Sequence, residues 1–259
     1  MQRGRCRRRR FHGYDARTAR PSTPIPRDPP TMPTPTSLIA SATPPAARVD
    51  FPALPRLLGV CALAVLAVLL CYFLLDKPIA WFVYRHDLRR YAWLDWLTHI
   101  PDFIVYASVL ILLLAPFRLA WRKSPARGER LLLTMSLSVA TAVFLKNLLK
   151  YLFGRAWPET WIDHNPSLIQ NHVYGFFWLQ SGEGFHSFPS GHTTITFAAM
   201  SVLWLAAPRL RWLAALLCAA VIVGLLGMDY HFLGDIVAGA FLASVCGLYL
   251  QRALLAQRT

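Results

Sequence analysis

From residue 57 to residue 250 the chain alternates long apolar runs with short polar stretches. Residues 57–75 carry no charge over nineteen positions. That predicts a first membrane span, because about 20 apolar residues cross a bilayer as a helix. Further runs at about 103–120, 131–149, 193–207, 212–228 and 236–250 predict five more. Several of these cores are only about fifteen residues long. At about 1.5 Å per residue that is short for a hydrocarbon layer of about 30 Å. The polar residues at their ends are therefore expected at membrane depth or in a protein-lined cavity. Gly239, Ala243 and Gly247 recur every fourth residue in the last run and predict a close helix contact.

Composition supports this pattern. The chain has 259 residues, of which 55% are hydrophobic and 15% charged, where a soluble domain carries about 25% charged residues. The expected class is an all-α polytopic membrane protein, a bundle of six transmembrane helices covering 51–255. Residues 1–50 are rich in Arg, Pro, Ser and Thr. They hold too little apolar surface to offset chain entropy and are expected to be a disordered basic tail. They do not resemble a cleaved signal peptide, and Met32 is a second possible start. The net charge of +14 does not point to nucleic acid. Eleven arginines against three aspartates place +8 of it within the first 56 residues.

Lys and Arg in the short loops orient the bundle. The tail, the loop with Arg118, Arg122, Lys123, Arg127 and Arg130, the Arg209/Arg211 loop and the end with Arg252 and Arg258 fall on one side. That side is expected to be cytoplasmic, in a multi-pass inner-membrane protein with both termini inside. The stretches 76–102, 150–191 and 229–235 then lie outside. The first contains Trp81, Trp93 and Trp96, as suits a helix lying at the interface. Five cysteines, four of them in apolar runs, form no CxxC or zinc spacing.

The candidate chemistry gathers at the outer ends. Pro189-Ser190-Gly191-His192 opens the fourth span, and His231 and Asp235 open the sixth. Lys150 and Arg155 follow the third. His231 and Asp235, four apart, are expected on one helix face, where a carboxylate fixes the tautomer of the imidazole and leaves its other nitrogen free to attack. Ser190 suits an N-cap, and the amides exposed at a helix start bind anions. His192 could protonate a leaving oxygen. Lys150 and Arg155 at that depth call for a counter-charge such as phosphate. Residues 157–188, with Glu159, Asp163, His164, His172 and His186, read as a polar and aromatic lid.

These residues resemble the type 2 phosphatidic acid phosphatase superfamily, whose pattern is K-x6-R-P, then P-S-G-H, then S-R-x5-H-x3-D. P-S-G-H is intact at 189–192 and H-x3-D at 231–235, while Lys150 and Pro158 match the first motif. The resemblance implies a six-helix membrane fold with the site on the outer face. It implies His231 as a nucleophile forming phosphohistidine, Asp235 as its orienting group and His192 as general acid. Lys150, the Ser190 hydroxyl and the Gly191 N–H would hold the phosphate. No metal or other cofactor is implied. Trp157 stands where the family has its first-motif arginine, and Gly224-Leu225 where it has Ser-Arg. Arg155 is the nearest replacement for one guanidinium. The expected partner is a lipid phosphate in the membrane: a polyprenyl diphosphate, phosphatidic acid, phosphatidylglycerol phosphate or a lipid A phosphate. Phosphotransfer to another lipid, lipid binding without turnover, and vanadate-dependent oxidation are the alternatives. No oligomeric state is read from the sequence.

Overall fold

The computed structural model describes residues 54–121, 124–162, 164–180 and 182–256. The expected disordered tail lies outside the described residues. Among those residues the architecture is helical, with isolated β-bridges confined to the long segment after the third span. Helix α1 (Leu54–Leu70) continues through a π-helical turn, Cys71–Leu75, into α2 (Asp76–Arg85). The first helix thus extends past the end expected at residue 75. Pro78 has no N–H to give to the preceding turn, and the π-turn accommodates that break. It also directs Asp76 inward, where it is fully buried.

Helix α3 (Ala92–Thr98) leads into α4 (Ile100–Trp121), and α5 (Arg127–Phe153) returns. A short helix, α6 (Leu168–Asn171), lies in the following segment. Then come α7 (Gly191–Ala206), α8 (Arg211–Gly227) and α9 (Leu233–Ala256). Among the described residues five stretches are long and apolar enough to cross a membrane: Leu54–Arg85, Ala92–Trp121, Arg127–Phe153, Pro208–Gly227 and Leu233–Leu254. The remaining expected span, the fourth in the chain, is α7, which has only 16 residues. Neighbouring helices cover much of it, with Ala198, Ala199 and Val202 buried, while Trp204 and Leu205 near its end are exposed.

The core is made of small side chains, Ala142, Ala198, Ala199, Ala214 and Ala243, with Val139, Met200 and Leu203 filling between them. Small residues let helix backbones approach where lipid supplies no hydrophobic drive. The ridge on α9 does this against α7, since a Cβ at Gly239 would lie 2.7 Å from Ser190 O. Ser138 of α5 donates to Ala198 O of α7 at 2.8 Å. Large apolar side chains on α1 and α4, among them Leu63, Phe103, Leu113 and Phe117, point outward, as a lipid-facing surface requires. Arg127, Arg130 and Arg209 line one cavity of about 920 Å³ with Leu205 and Gln251. The basic loops therefore share one end of the bundle.

Candidate functional site

At the opposite end the chain comes out of α5 and turns at Gly154. Its φ is 44°, and an added Cβ would strike Phe177 O, so a glycine is needed at this reversal. Backbone bonds then lace the segment together: Arg155 N to Phe185 O at 2.5 Å, Ser187 N to Arg155 O at 3.2 Å and Leu168 N to Trp157 O at 2.9 Å. Asn165, buried, accepts from Trp161 N and Ile162 N at 2.8 and 2.9 Å. The expected lid is thus a folded platform. Its Glu159 is buried and lies 3.8 Å from Arg89, while His164 and His172 are exposed. Asp163 lies outside the described residues.

The Pro-Ser-Gly-His turn behaves as its sequence suggests. Ser190 caps α7, its Oγ accepting from Thr193 N at 3.4 Å and from Thr193 Oγ1 at 3.1 Å. Ser190 N donates to Asp235 O at 3.0 Å. That one bond joins the start of α7 to the start of α9, although 45 residues separate them. Gly191 sits beside two lysines, where a Cβ would lie 3.4 Å from Lys146 Nζ and 3.9 Å from Lys150 Cε. Lys150 itself, in the last turn of α5, donates to His186 O.

His231 precedes α9 rather than lying on it, which corrects the expectation of a shared helix face. Asp229 at φ 54° turns the chain, and α9 starts only at Leu233. The pair still meets, because Asp235 reaches back over the helix start. Its Oδ2 accepts from Phe232 N at 3.1 Å, the reciprocal half of a capping box. The same oxygen accepts from Ser187 Oγ at 2.5 Å and lies 3.5 Å from His231 Nδ1. His231 is buried. Burial, outweighing the nearby Asp235, holds its imidazole below the ordinary histidine range.

The rings of His231 and His192 are 6.1 Å apart, centre to centre. Trp157 forms the wall beside them, 5.1 Å from the His231 ring, with Lys150 Nζ 5.5 Å from its own ring centre. Its indole N–H donates to Glu183 O at 2.9 Å. His186 Nε2 and His192 Nδ1 are buried and lack hydrogen-bond partners among the described residues, whereas His231 Nδ1 faces Asp235 Oδ2. Buried polar atoms left unpaired are costly, and unpaired nitrogens next to a lysine and a helix N-terminus suit an anion. No cluster of three or more His, Cys, Asp or Glu is placed to hold a metal among the described residues.

Arg155 has a different place from the one expected. Beyond the Gly154 reversal its side chain runs into the protein and is wholly buried. Nη1 donates to Asp235 Oδ1 at 2.5 Å, and Nη2 donates to Asp76 Oδ2 at 2.6 Å and to Tyr174 OH at 3.2 Å. The rings of Tyr72, Tyr174, Phe176 and Phe232 enclose it at 4.4 to 5.4 Å. Burial opposes the charge, but Asp235 and Asp76 outweigh it and raise the guanidinium above its ordinary range. Two carboxylates, not a ligand phosphate, supply its counter-charge.

Asp76 and Ser187 carry no motif signal and were not legible as site residues. The only hint was an acidic residue at the end of an uncharged span.

Leu225 is also explained. It is fully buried in an apolar cluster with Val221 and Ile236. Next to it, a Cβ on Gly224 would meet Leu94 O at 2.8 Å and Leu97 Cβ at 2.9 Å. The place of the family's Ser-Arg is given over to packing between α3 and α8. Leu225→Arg is accordingly expected to lower the melting temperature without raising turnover, since it buries an unpaired charge. A stable variant with faster turnover would place position 225 in the site after all.

Asp229 supplies a pH dependence. Burial first, and Glu159 second, push its carboxyl up to about 8, with Arg89 opposing. The unfolded carboxyl ionises near 3.9, so the fold loses stability as pH rises from there to about 8. Asp229→Asn removes that loss. The gain in melting temperature is expected to be larger at about pH 8 than at about pH 5, and an equal gain at both would contradict the assignment.

The PAP2 superfamily model matches residues 131–258. The lipid A 1-phosphatase of Rhizobium johnstonii is 27% identical over 184 residues, covering 67% of this chain and 70% of that protein. The lipid A 1-phosphatase of Rhizobium etli is 33% identical over 104 residues, covering 38% of this chain and 41% of that protein. The chain thus spans less than half of the second relative. No solved structure matches it. The matched region holds Lys150, the 189–192 turn, His231 and Asp235, so the residues that build this site lie within the part of the chain that is similar to the PAP2 superfamily.

Proposed function

We propose that this membrane phosphatase hydrolyses a phosphate ester on a lipid at the outer face of the inner membrane, through a phosphohistidine on His231. One observation carries the reading: two histidine rings and Lys150 converge on a helix N-terminus, with buried ring nitrogens left unpaired. The names of the two relatives make the 1-phosphate of lipid A the first substrate to test. Outer-face placement rests on the basic loops gathering at the end away from the histidines.

In this reading His231, neutral and held by Asp235 through Nδ1, attacks phosphorus through Nε2. The bond from phosphorus to the lipid oxygen breaks, and His192, protonated beside the negative charge of the bound phosphate, gives that oxygen a proton. Water then attacks the phosphohistidine, loses a proton to His192 and releases inorganic phosphate. Lys150 and the Gly191 amide balance charge on the phosphoryl oxygens. Ser190 contributes by capping α7, which leaves that amide free.

The test is phosphate release by purified protein in detergent micelles, from lipid A, a polyprenyl diphosphate, phosphatidic acid and phosphatidylglycerol phosphate. Release from one or more, with acid-quenched label recovered on histidine, is the expected result. Saturable binding of these lipids with no release from any would show a lipid-binding protein instead. Label recovered on an added acceptor lipid would show a transferase.

A further inference from the structure

Asp76 lies outside the family-matched region and more than 150 residues from the histidine it serves. It is fully buried, where the uncharged run 57–75 ends and α2 begins. A charge there is expensive and usually functional. Both of its oxygens are engaged: Oδ2 accepts from Arg155 Nη2 at 2.6 Å, and Oδ1 accepts from Gly234 N at 2.9 Å. Gly234 is in the first turn of α9, beside Asp235. A Cβ there would lie 3.1 Å from Asp76 Oδ2 and 3.4 Å from Arg155 Nη1, so glycine is what allows this approach.

The structure therefore contains a linear array: Asp76, Arg155, Asp235, His231. Each neighbour is in contact, at 2.6, 2.5 and 3.5 Å in order. Its charges alternate. Arg155 alone would neutralise Asp235 and leave no net charge behind the imidazole. A second carboxylate restores one negative charge. We infer that Asp76 is a positioning residue for the reaction: it shares Arg155 with Asp235, fixes the start of α9, and keeps the array behind His231 net negative as positive charge develops on the imidazole.

This rests on the reading of His231 as nucleophile. The charged and titratable groups facing His231 are Asp235 from α9, Lys150 from α5 and His192 from α7. Arg155 and Asp76 stand behind Asp235. Loss of the Asp76 charge disfavours the imidazolium, so the acid limb of kcat/KM moves to lower pH.

The experiment compares wild type, Asp76→Asn and Arg155→Lys with His231→Ala on a lipid phosphate that the wild type turns over. For Asp76→Asn the expected result is a fall in kcat of about ten- to a hundredfold, by analogy with partners that orient a metal-ligating side chain from behind. KM stays within about twofold and the acid limb shifts downward. For Arg155→Lys, which keeps the charge but cannot hold both carboxylates in one fork, kcat falls while the limb stays in place. Wild-type kcat in either variant overturns the inference. So does a kcat loss in a folded Asp76→Asn protein without movement of the limb. Arg155→Lys decides the matter if Asp76→Asn does not fold. An inactive His231→Ala beside a fully active Asp76→Asn refutes the array alone, whereas an active His231→Ala refutes the underlying mechanism.

Discussion

His231→Ala is expected to abolish turnover, with kcat falling by about 10⁴-fold or more, as when the central member of a nucleophilic unit is removed. Lipid binding should survive, because Lys150 and the α7 start remain. The side chain is small and its ring touches Trp157, so some repacking follows, but no buried charge is orphaned. Single-turnover phosphate release, read beside lipid binding, separates lost chemistry from lost fold. Equal turnover in variant and wild type would remove the proposed nucleophile. The pH profile of the wild type gives a second check. Burial holds the His231 imidazole below its ordinary range, so it stays neutral as pH falls through about 6.5, and the acid limb lies below that value. The same shift acts on the fold. Protonation is favoured in the unfolded chain, so this contribution to stability is present above about 6.5 and is lost as pH falls below it.

Arg155→Met is expected to cost the most stability. The guanidinium is the shared counter-charge of two buried carboxylates. Without it Asp76 and Asp235 face each other unpaired, and breaking a buried pair in this way costs about 3–5 kcal/mol. Methionine fills much of the space inside the aromatic cage, so the loss is one of charge rather than volume. Thermal unfolding in detergent should show a large drop, and turnover should disappear with it. A variant that keeps its melting temperature would show that the two carboxylates do not depend on Arg155. Retained stability with lost activity would instead return Arg155 to a direct role on the phosphate. The Asp76→Asn/Arg155→Met pair offers a further reading: removing both partners should cost less than the sum of the single losses, because the Asn no longer carries an orphaned charge.

The sequence by itself determined the class of fold and the parts of the site that are local. Apolar runs of about 18 residues or more with few charges, such as 57–75, have few alternatives to a membrane span, and a Pro-Ser-Gly pattern caps a helix wherever that helix packs. The Ser190 cap and the close contact of Gly239, Ala243 and Gly247 with α7 were legible for that reason. Only the tertiary structure decided where charges end. Whether Arg155 faces a phosphate or two carboxylates depends on the direction taken after Gly154 and on a π-turn 80 residues earlier, and neither leaves a periodic trace. The same is true of Leu225, which lies in a helix contact that the motif spacing does not encode, and of His231, whose place ahead of α9 follows from the turn at Asp229. Buried ion pairs join residues through space, so a pattern along the chain shows that a charge must be met but not by which partner.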